Sequence, residues 1–122
     1  MARPPLTGAG MQRIQTLEEA GLQLQTLHGI VEKMAMALRA QQPLQPFVQQ
    51  LRRASVPLAD TLKGHYGTLA DQVTMLYLVA TRGGGDRVRV NNLREAVGSL
   101  RNALDIATRK VYEDHAESPE QA

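Results

Sequence analysis

Two residues in the first third of the chain have the spacing of helical metal ligands. His28 and Glu32 are four positions apart, so on a helix their side chains share one face. No other helical segment carries a matching pair of histidine and carboxylate, and nothing in the sequence brings His65 or His115 to the same place. Because two ligands do not make a metal site, we expect His28 to be an ordinary hydrogen-bonded histidine and the chain to hold no metal.

Residues suited to covalent catalysis are scarce. The chain has no cysteine, which removes thiolate nucleophiles, disulfides and cysteine-ligated metals and is compatible with a reducing, cytoplasmic location. Ser55, Ser99 and Ser118 stand in a possible helix cap, a helix and the tail, with no histidine beside them. The glycine run at 83–85 lacks the lysine and hydroxyl of a phosphate-binding loop. We therefore expect neither an enzyme nor a cofactor.

The charges are numerous but do not form the basic patch or stripe that is typical of a nucleic-acid-binding surface. The chain has fourteen basic side chains, eleven of them arginine, and twelve acidic ones, and no Lys or Arg follows residue 112. In the last helical segment the bases alternate with acids instead of forming one stripe, and the chain offers no aromatic platform. No apolar run exceeds six residues, which is far below a membrane span. We expect neither nucleic acid nor a membrane to be the partner.

Apolar periodicity predicts the elements that position these residues. Steps of three and four indicate long amphipathic helices over 11–41, 57–82 and 88–113, and a short helix over 46–54. The first contains a heptad seam, formed by Leu17, Leu24, Val31 and Leu38 together with Ala20, Leu27 and Met34. Leu22, Ile30 and Met36 lie off the seam and widen the apolar face toward that of a bundle helix.

The connections decide the predicted architecture. Pro57 either kinks one long helix or separates two, and we favour a break or sharp kink there, with Ser55 as the cap if a new helix begins. The glycines at 83–85 end the central helix. Short connections favour antiparallel neighbours, so we predict an all-α, up-and-down antiparallel bundle over 11–115. Residues 1–10 are expected to be a flexible leader and 116–122 a disordered acidic tail.

The central segment has two contrasting faces. One carries the core stripe, and its end, residues 75–80, has no polar residue, so we expect neighbouring helices or a second copy of the chain to cover it. The opposite face carries six candidate partner-binding residues: Asp60, Lys63, Gly64, Gly67, Asp71 and Leu78. Two glycines on one helix cost about 1 kcal/mol each relative to alanine, which suggests close approach of another backbone. Either helix 46–54 packs onto Gly64 and Gly67, or a partner protein does.

Part of this segment resembles a known family. The string Leu51-Arg-Arg-Ala, then 59–64 (ADTLKG), Gly67 and Leu69 resemble the phosphoacceptor helix of histidine-phosphotransfer domains, which are single helical bundles. The resemblance implies a lysine (Lys63) beside the phosphoryl group and a glycine (Gly64) that admits a receiver domain. The acceptor position holds Asp60, and a carboxylate cannot do the nucleophilic work of a neutral imidazole. The resemblance therefore implies a domain that docks a receiver without passing phosphate.

These observations lead to two functional hypotheses. The first is a non-enzymatic protein-interaction module, a small regulatory or adaptor protein that binds through the six candidate residues or through the apolar run at 75–80. Self-association of two copies through that run belongs to the same hypothesis. The alternative is a degenerate phosphotransfer-like domain that binds a receiver domain in two-component signalling, which requires Asp60, Lys63 and Gly64 to be exposed together.

Overall fold

Four α-helices joined by short turns make up the computed structural model, which describes residues 5–82 and 84–116. They are α1 (Gly8–Arg39), α2 (Gln45–Leu62), α3 (Gly67–Thr81) and α4 (Asp86–Asp114). The predicted all-α class is confirmed, since the only β pairing in the described part of the chain is an isolated bridge between Leu6 and Ala116. Within those same residues no helix combines the length and the apolar character needed to cross a membrane.

The helices enclose one apolar interior. Each helix packs against its neighbours in sequence, and α1 also packs against α4, while the pairs α1–α3 and α2–α4 have no described Cα atoms within 8 Å of each other. The interior consists of aliphatic side chains, as the low aromatic content predicts. Its largest fully buried members are Leu24, Leu27, Met34, Leu51, Leu58, Leu62, Leu76, Leu93, Leu100, Val31, Val73 and Val90.

Helix α1 buries the predicted seam but not the residues predicted to widen it. All seam residues are buried except Leu38, which is half-buried. Ile30 is buried as well, at 7% exposure. Leu22 and Met36 are exposed, at 74% and 66%, so their assignment to the apolar interior face is wrong. The reason is geometric, because both lie on the side of the helix opposite the seam and neither α2 nor α4 reaches that side.

The predicted break at Pro57 is absent, because α2 runs through this residue. The buried positions 51, 55, 58 and 62 keep one helical stripe across the proline, so packing favours a continuous helix. Pro57 itself is exposed, where the carbonyl that loses its hydrogen bond can face water. Ser55 is not a cap: its buried hydroxyl donates to the Leu51 carbonyl at 2.6 Å, one turn earlier.

The chain breaks instead at residues 63–66, in the middle of the predicted central helix. Helix α2 ends at Leu62, and α3 begins at Gly67. The turn is closed by the backbone N–H of Tyr66, which donates to the Leu62 carbonyl at 2.8 Å. The apolar spacing continues without interruption through the turn, so the sequence pattern does not indicate it. Gly64, which weakens a helix, lies in this turn.

The first turns of α1 are held by the end of α4. Thr7 caps α1, since its hydroxyl accepts from the Gly10 N–H at 3.1 Å, and its own N–H donates to the His115 carbonyl at 2.9 Å. A Cβ atom on Gly10 would lie 2.6 Å from the His115 Cβ, so the two segments meet more closely than a side chain allows. Residues 5–10 of the predicted leader are thus part of the bundle. Residues 1–4, Gly83 and residues 117–122 lie outside the described part of the chain.

Candidate protein-interaction surfaces

Three of the six candidate residues lie together at the end of α2. Asp60 is in the last turn of the helix, Lys63 is its C-cap, and Gly64 follows in the turn. All three are exposed. A Cβ atom built on Gly64 or on Gly67 would meet nothing within 4 Å, so no helix packs onto either glycine. The interpretation in which segment 46–54 covers them is therefore wrong.

The other three candidates belong to α3. Gly67, Asp71 and Leu78 are spaced four and seven residues apart, which places them along the outer side of this helix. Gly67 and Asp71 are exposed, and Leu78 is partly buried. The prediction that all six residues share one helical face is wrong, because that face was extrapolated at 100° per residue across a turn that interrupts the helix. They form two groups on two helices.

The apolar run at 75–80 is covered mostly by the chain itself. Leu76 and Ala80 are each 1% exposed, and the three residues between them, 77–79, are partly buried. Met75 is 54% exposed. Helix α2, which has 18 residues instead of the predicted nine, supplies much of the cover. Its Arg52 places the guanidinium carbon 5.6 Å from the centre of the Tyr77 ring, a cation–π contact.

Met75 marks the edge of an apolar groove between α3 and α4. The groove has a volume of about 370 Å³ and is open to solvent. Its apolar lining consists of Met75, Leu76, Val79, Ala96 and Leu100, with Thr68, Asp71, Gln72 and Ser99 around it. Helices α3 and α4 pack less extensively than any other neighbouring pair, and the small side chains of Ala96 and Ser99 leave space between them. Grooves that hold apolar ligand groups have volumes of this order.

A second exposed apolar surface follows the outer side of α1. We call it the α1 outer stripe; it consists of Met11, Leu22, Gly29 and Met36, at exposures of 55%, 74% and 66% for the three side chains. Steps of eleven, seven and seven residues keep all four within about 40° of one another around the helix. The sequence contains this signal, but the apolar pattern assigns Leu22 and Met36 to a widened interior face of the helix.

One of the two potential metal ligands, Glu32, is engaged in an ion pair between helices. The Glu32 carboxylate accepts two hydrogen bonds from Arg94 on α4, from Nε at 3.1 Å and from Nη2 at 2.8 Å. These bonds, with the positive charge of Arg94, hold the pKa of Glu32 below its ordinary value. Nowhere in residues 5–82 and 84–116 do three or more histidine or carboxylate side chains form a cluster suited to a metal ion. The pair His28 and Glu32 thus gains no third ligand there.

Comparison of the chain with protein-family models, with curated proteins and with solved structures found no match. Function is therefore inferred from the geometry of the two apolar surfaces and of the α2 end.

Proposed function

We propose that the chain is a non-enzymatic protein-interaction module, a small regulatory or adaptor protein, whose α3–α4 groove receives an amphipathic helix of a partner. The observation that carries this proposal is the apolar lining of a groove that is open to water, with more than half of the Met75 surface exposed at its edge. Apolar surface in a groove favours association when a partner removes it from water.

The residues around the groove indicate the chemistry of the partner. An amphipathic helix would present large apolar side chains at i, i+4 and i+7 to Met75, Val79 and Ala96. Asp71 lies at the edge and adds a negative charge, which favours a lysine or arginine beside the apolar face of the partner. Asp71 was among the six candidate residues, and it is the one that lines this groove.

The proposal includes the up-and-down, antiparallel order of the helices. Support comes from the turns of a few residues that join them and from the cyclic packing, in which each helix touches two others. In that order α3 and α4 are antiparallel neighbours, and the groove between them is a long, straight receptor for a third helix.

A designed peptide tests the groove directly. We expect an 18-residue helical peptide with leucines at i, i+4 and i+7 and flanking lysines to shift the amide NMR signals of residues on both sides of the groove. Met75→Arg should abolish the shifts, because it places a charge against the apolar face. Val88→Arg, at a position on α4 that is equally exposed at 53%, is the matched control and should leave binding unchanged.

Reversal of charge distinguishes specific docking from nonspecific apolar binding. Asp71→Lys should weaken binding of the lysine-flanked peptide and strengthen binding of a glutamate-flanked version of it. Shifts spread evenly over all four helices, or equal binding by wild type and Met75→Arg, would reject the groove as the docking site.

The second candidate function is receiver docking by a degenerate phosphotransfer-like domain. It is supported by the joint exposure of Asp60, Lys63 and Gly64 at the α2 end and by the open space above Gly64. A purified receiver domain from the same cell should then bind wild type, while Lys63→Ala and Gly64→Arg lose binding and keep the thermal unfolding midpoint. Binding that survives both substitutions would exclude this function without affecting the groove proposal.

A further inference from the structure

The α1 outer stripe contains a glycine that nothing within the described chain explains. Gly29 lies in the middle of α1, where glycine costs about 1 kcal/mol relative to alanine. A Cβ atom there would meet nothing within 4 Å, as is also true of Gly21 on the same helix, whereas a Cβ atom on Gly10 would collide with His115. The missing side chain therefore serves no contact among the described residues. A glycine on an exposed helix face allows another helix to approach closely.

The residues on either side of Gly29 are arranged symmetrically. Leu22 lies seven residues before it and Met36 seven residues after it, and these are the two most exposed large apolar side chains in the described part of the chain. If a second α1 ran antiparallel with a two-fold axis at Gly29, Leu22 of each copy would contact Met36 of the other. A two-fold interface requires this kind of self-complementarity, in which one patch pairs with itself.

Charged residues agree with the antiparallel direction. Glu18 lies eleven residues before Gly29 and Arg39 lies ten residues after it; helical spacing places Glu18 at the edge of the stripe, level with Met36, and Arg39 about 60° further toward α4. Both are exposed. In the antiparallel arrangement Glu18 of each copy lies beside Arg39 of the other, which is favourable. A parallel pair in register would place Glu18 against Glu18, which is unfavourable.

We propose that the α1 outer stripe is the interface of a symmetric, antiparallel dimer of this chain, with the two Gly29 residues in contact at the two-fold axis. Leu22 and Met36 form its apolar contacts, and Glu18 and Arg39 form an ion pair on each side of the axis. This interface is separate from the α3–α4 groove, so either proposal can fail without the other.

Cysteine pairing gives the sharpest test, because the native chain has no cysteine. In the antiparallel dimer the two copies of residue 22 are about 21 Å apart at 1.5 Å per residue, too far for a disulfide. Leu22→Cys alone and Met36→Cys alone should therefore remain uncrosslinked, whereas an oxidised mixture of the two should give a covalent dimer. Crosslinking of each variant with itself, or none in the mixture, would overturn the proposal.

Charge reversal and solution mass supply an independent test. Light scattering of the full chain at rising concentration should show a dimer, and Leu22→Arg should make it monomeric. Glu18→Arg and Arg39→Glu should each weaken the dimer about tenfold, and the double variant should regain it. Val56→Arg, on exposed α2 surface, is the control and should stay dimeric. A monomer for wild type at all concentrations, or no recovery in the double variant, would contradict the interface.

Discussion

Helix α4 meets α1 along one side and α3 along the other, and the two seams differ sharply. The α1–α4 seam is joined by specific contacts, namely the Arg94 and Glu32 pair and the approach of Gly10 to His115, and its own groove of about 390 Å³ has charged side chains such as Arg39 and Arg94 in its lining. The α3–α4 seam has a groove of about 370 Å³ open to water. The two sides of α4 thus differ in polarity: the side toward α1 is joined by an ion pair and has a partly charged groove, and the side toward α3 has an apolar groove.

The lengths of the helices contribute to this difference. Helices α1 and α4 have 32 and 29 residues, or about 48 and 43 Å, so they cover each other almost completely. Helix α3 has 15 residues, about 22 Å, and leaves much of α4 without a partner on that side. More extensive packing contributes more to the unfolding free energy, while apolar surface that is incompletely packed is available to other molecules.

The largest expected effect comes from Leu100, which forms the inner wall of the α3–α4 groove. It is 2% exposed, so Leu100→Ala should lower the free energy of unfolding by about 2 to 5 kcal/mol. Met75→Ala, at the outer edge of the same groove, should change it by less than about 1 kcal/mol. Urea unfolding of the two variants measures both. Equal losses of unfolding free energy in the two variants would show that the groove is closed in solution.

A smaller effect should arise where α1 meets the end of α4. Gly10→Ala forces a Cβ atom against His115, and we expect about 1 to 3 kcal/mol of destabilisation. Gly98→Ala, in the middle of α4 with open space around it, is the matched control and should stabilise by up to about 1 kcal/mol. Thermal unfolding of both variants gives the comparison. If Gly10→Ala is neutral, the contact between the two termini is not maintained in solution.

The smallest effect concerns the ion pair of the α1–α4 seam. Because the folded pKa of Glu32 is lower than its unfolded pKa, the pair stabilises the fold above the unfolded value and loses that contribution as pH falls through the folded value. Glu32→Gln should therefore reduce the free energy of unfolding slightly at neutral pH. It should also make that free energy fall less steeply as the pH is lowered. Both side chains are about 40% exposed, so high salt should remove most of the difference. A difference that grows with salt would contradict this assignment.

Sequence patterns predicted the interior of the bundle better than its turns. The seam of α1 and the buried stripe of α4 follow directly from spacing, because every turn of an amphipathic helix repeats the same choice between core and water. The turn at 63–66 could not be found in this way, since the apolar spacing runs through it unchanged. Pro57 led to the opposite error, a predicted break that is absent. The free-energy cost of the proline is local, whereas the buried stripe on both sides of it extends over several turns.

The candidate surfaces were predicted only in part. The exposure of Asp60, Lys63 and Gly64 is what the receiver-docking hypothesis requires, and Asp71 has the outer position that its spacing predicts. The groove could not be derived, because it depends on which sides of α3 and α4 face each other and on how closely they pack. Leu22 and Met36 show the same limit, since an apolar residue is assigned to the interior by default and only its neighbours in space reveal that it is exposed.

By itself, the sequence determined that this protein is helical, that its interior is aliphatic, and that its charges lie outside. These properties are local, repeated at every turn and set by the chemistry of single side chains. Only the tertiary structure decided where the helices begin and end, which helices are neighbours, and which apolar groups remain in water. Those outcomes depend on helix lengths and on packing between distant segments, which no single stretch of the chain encodes.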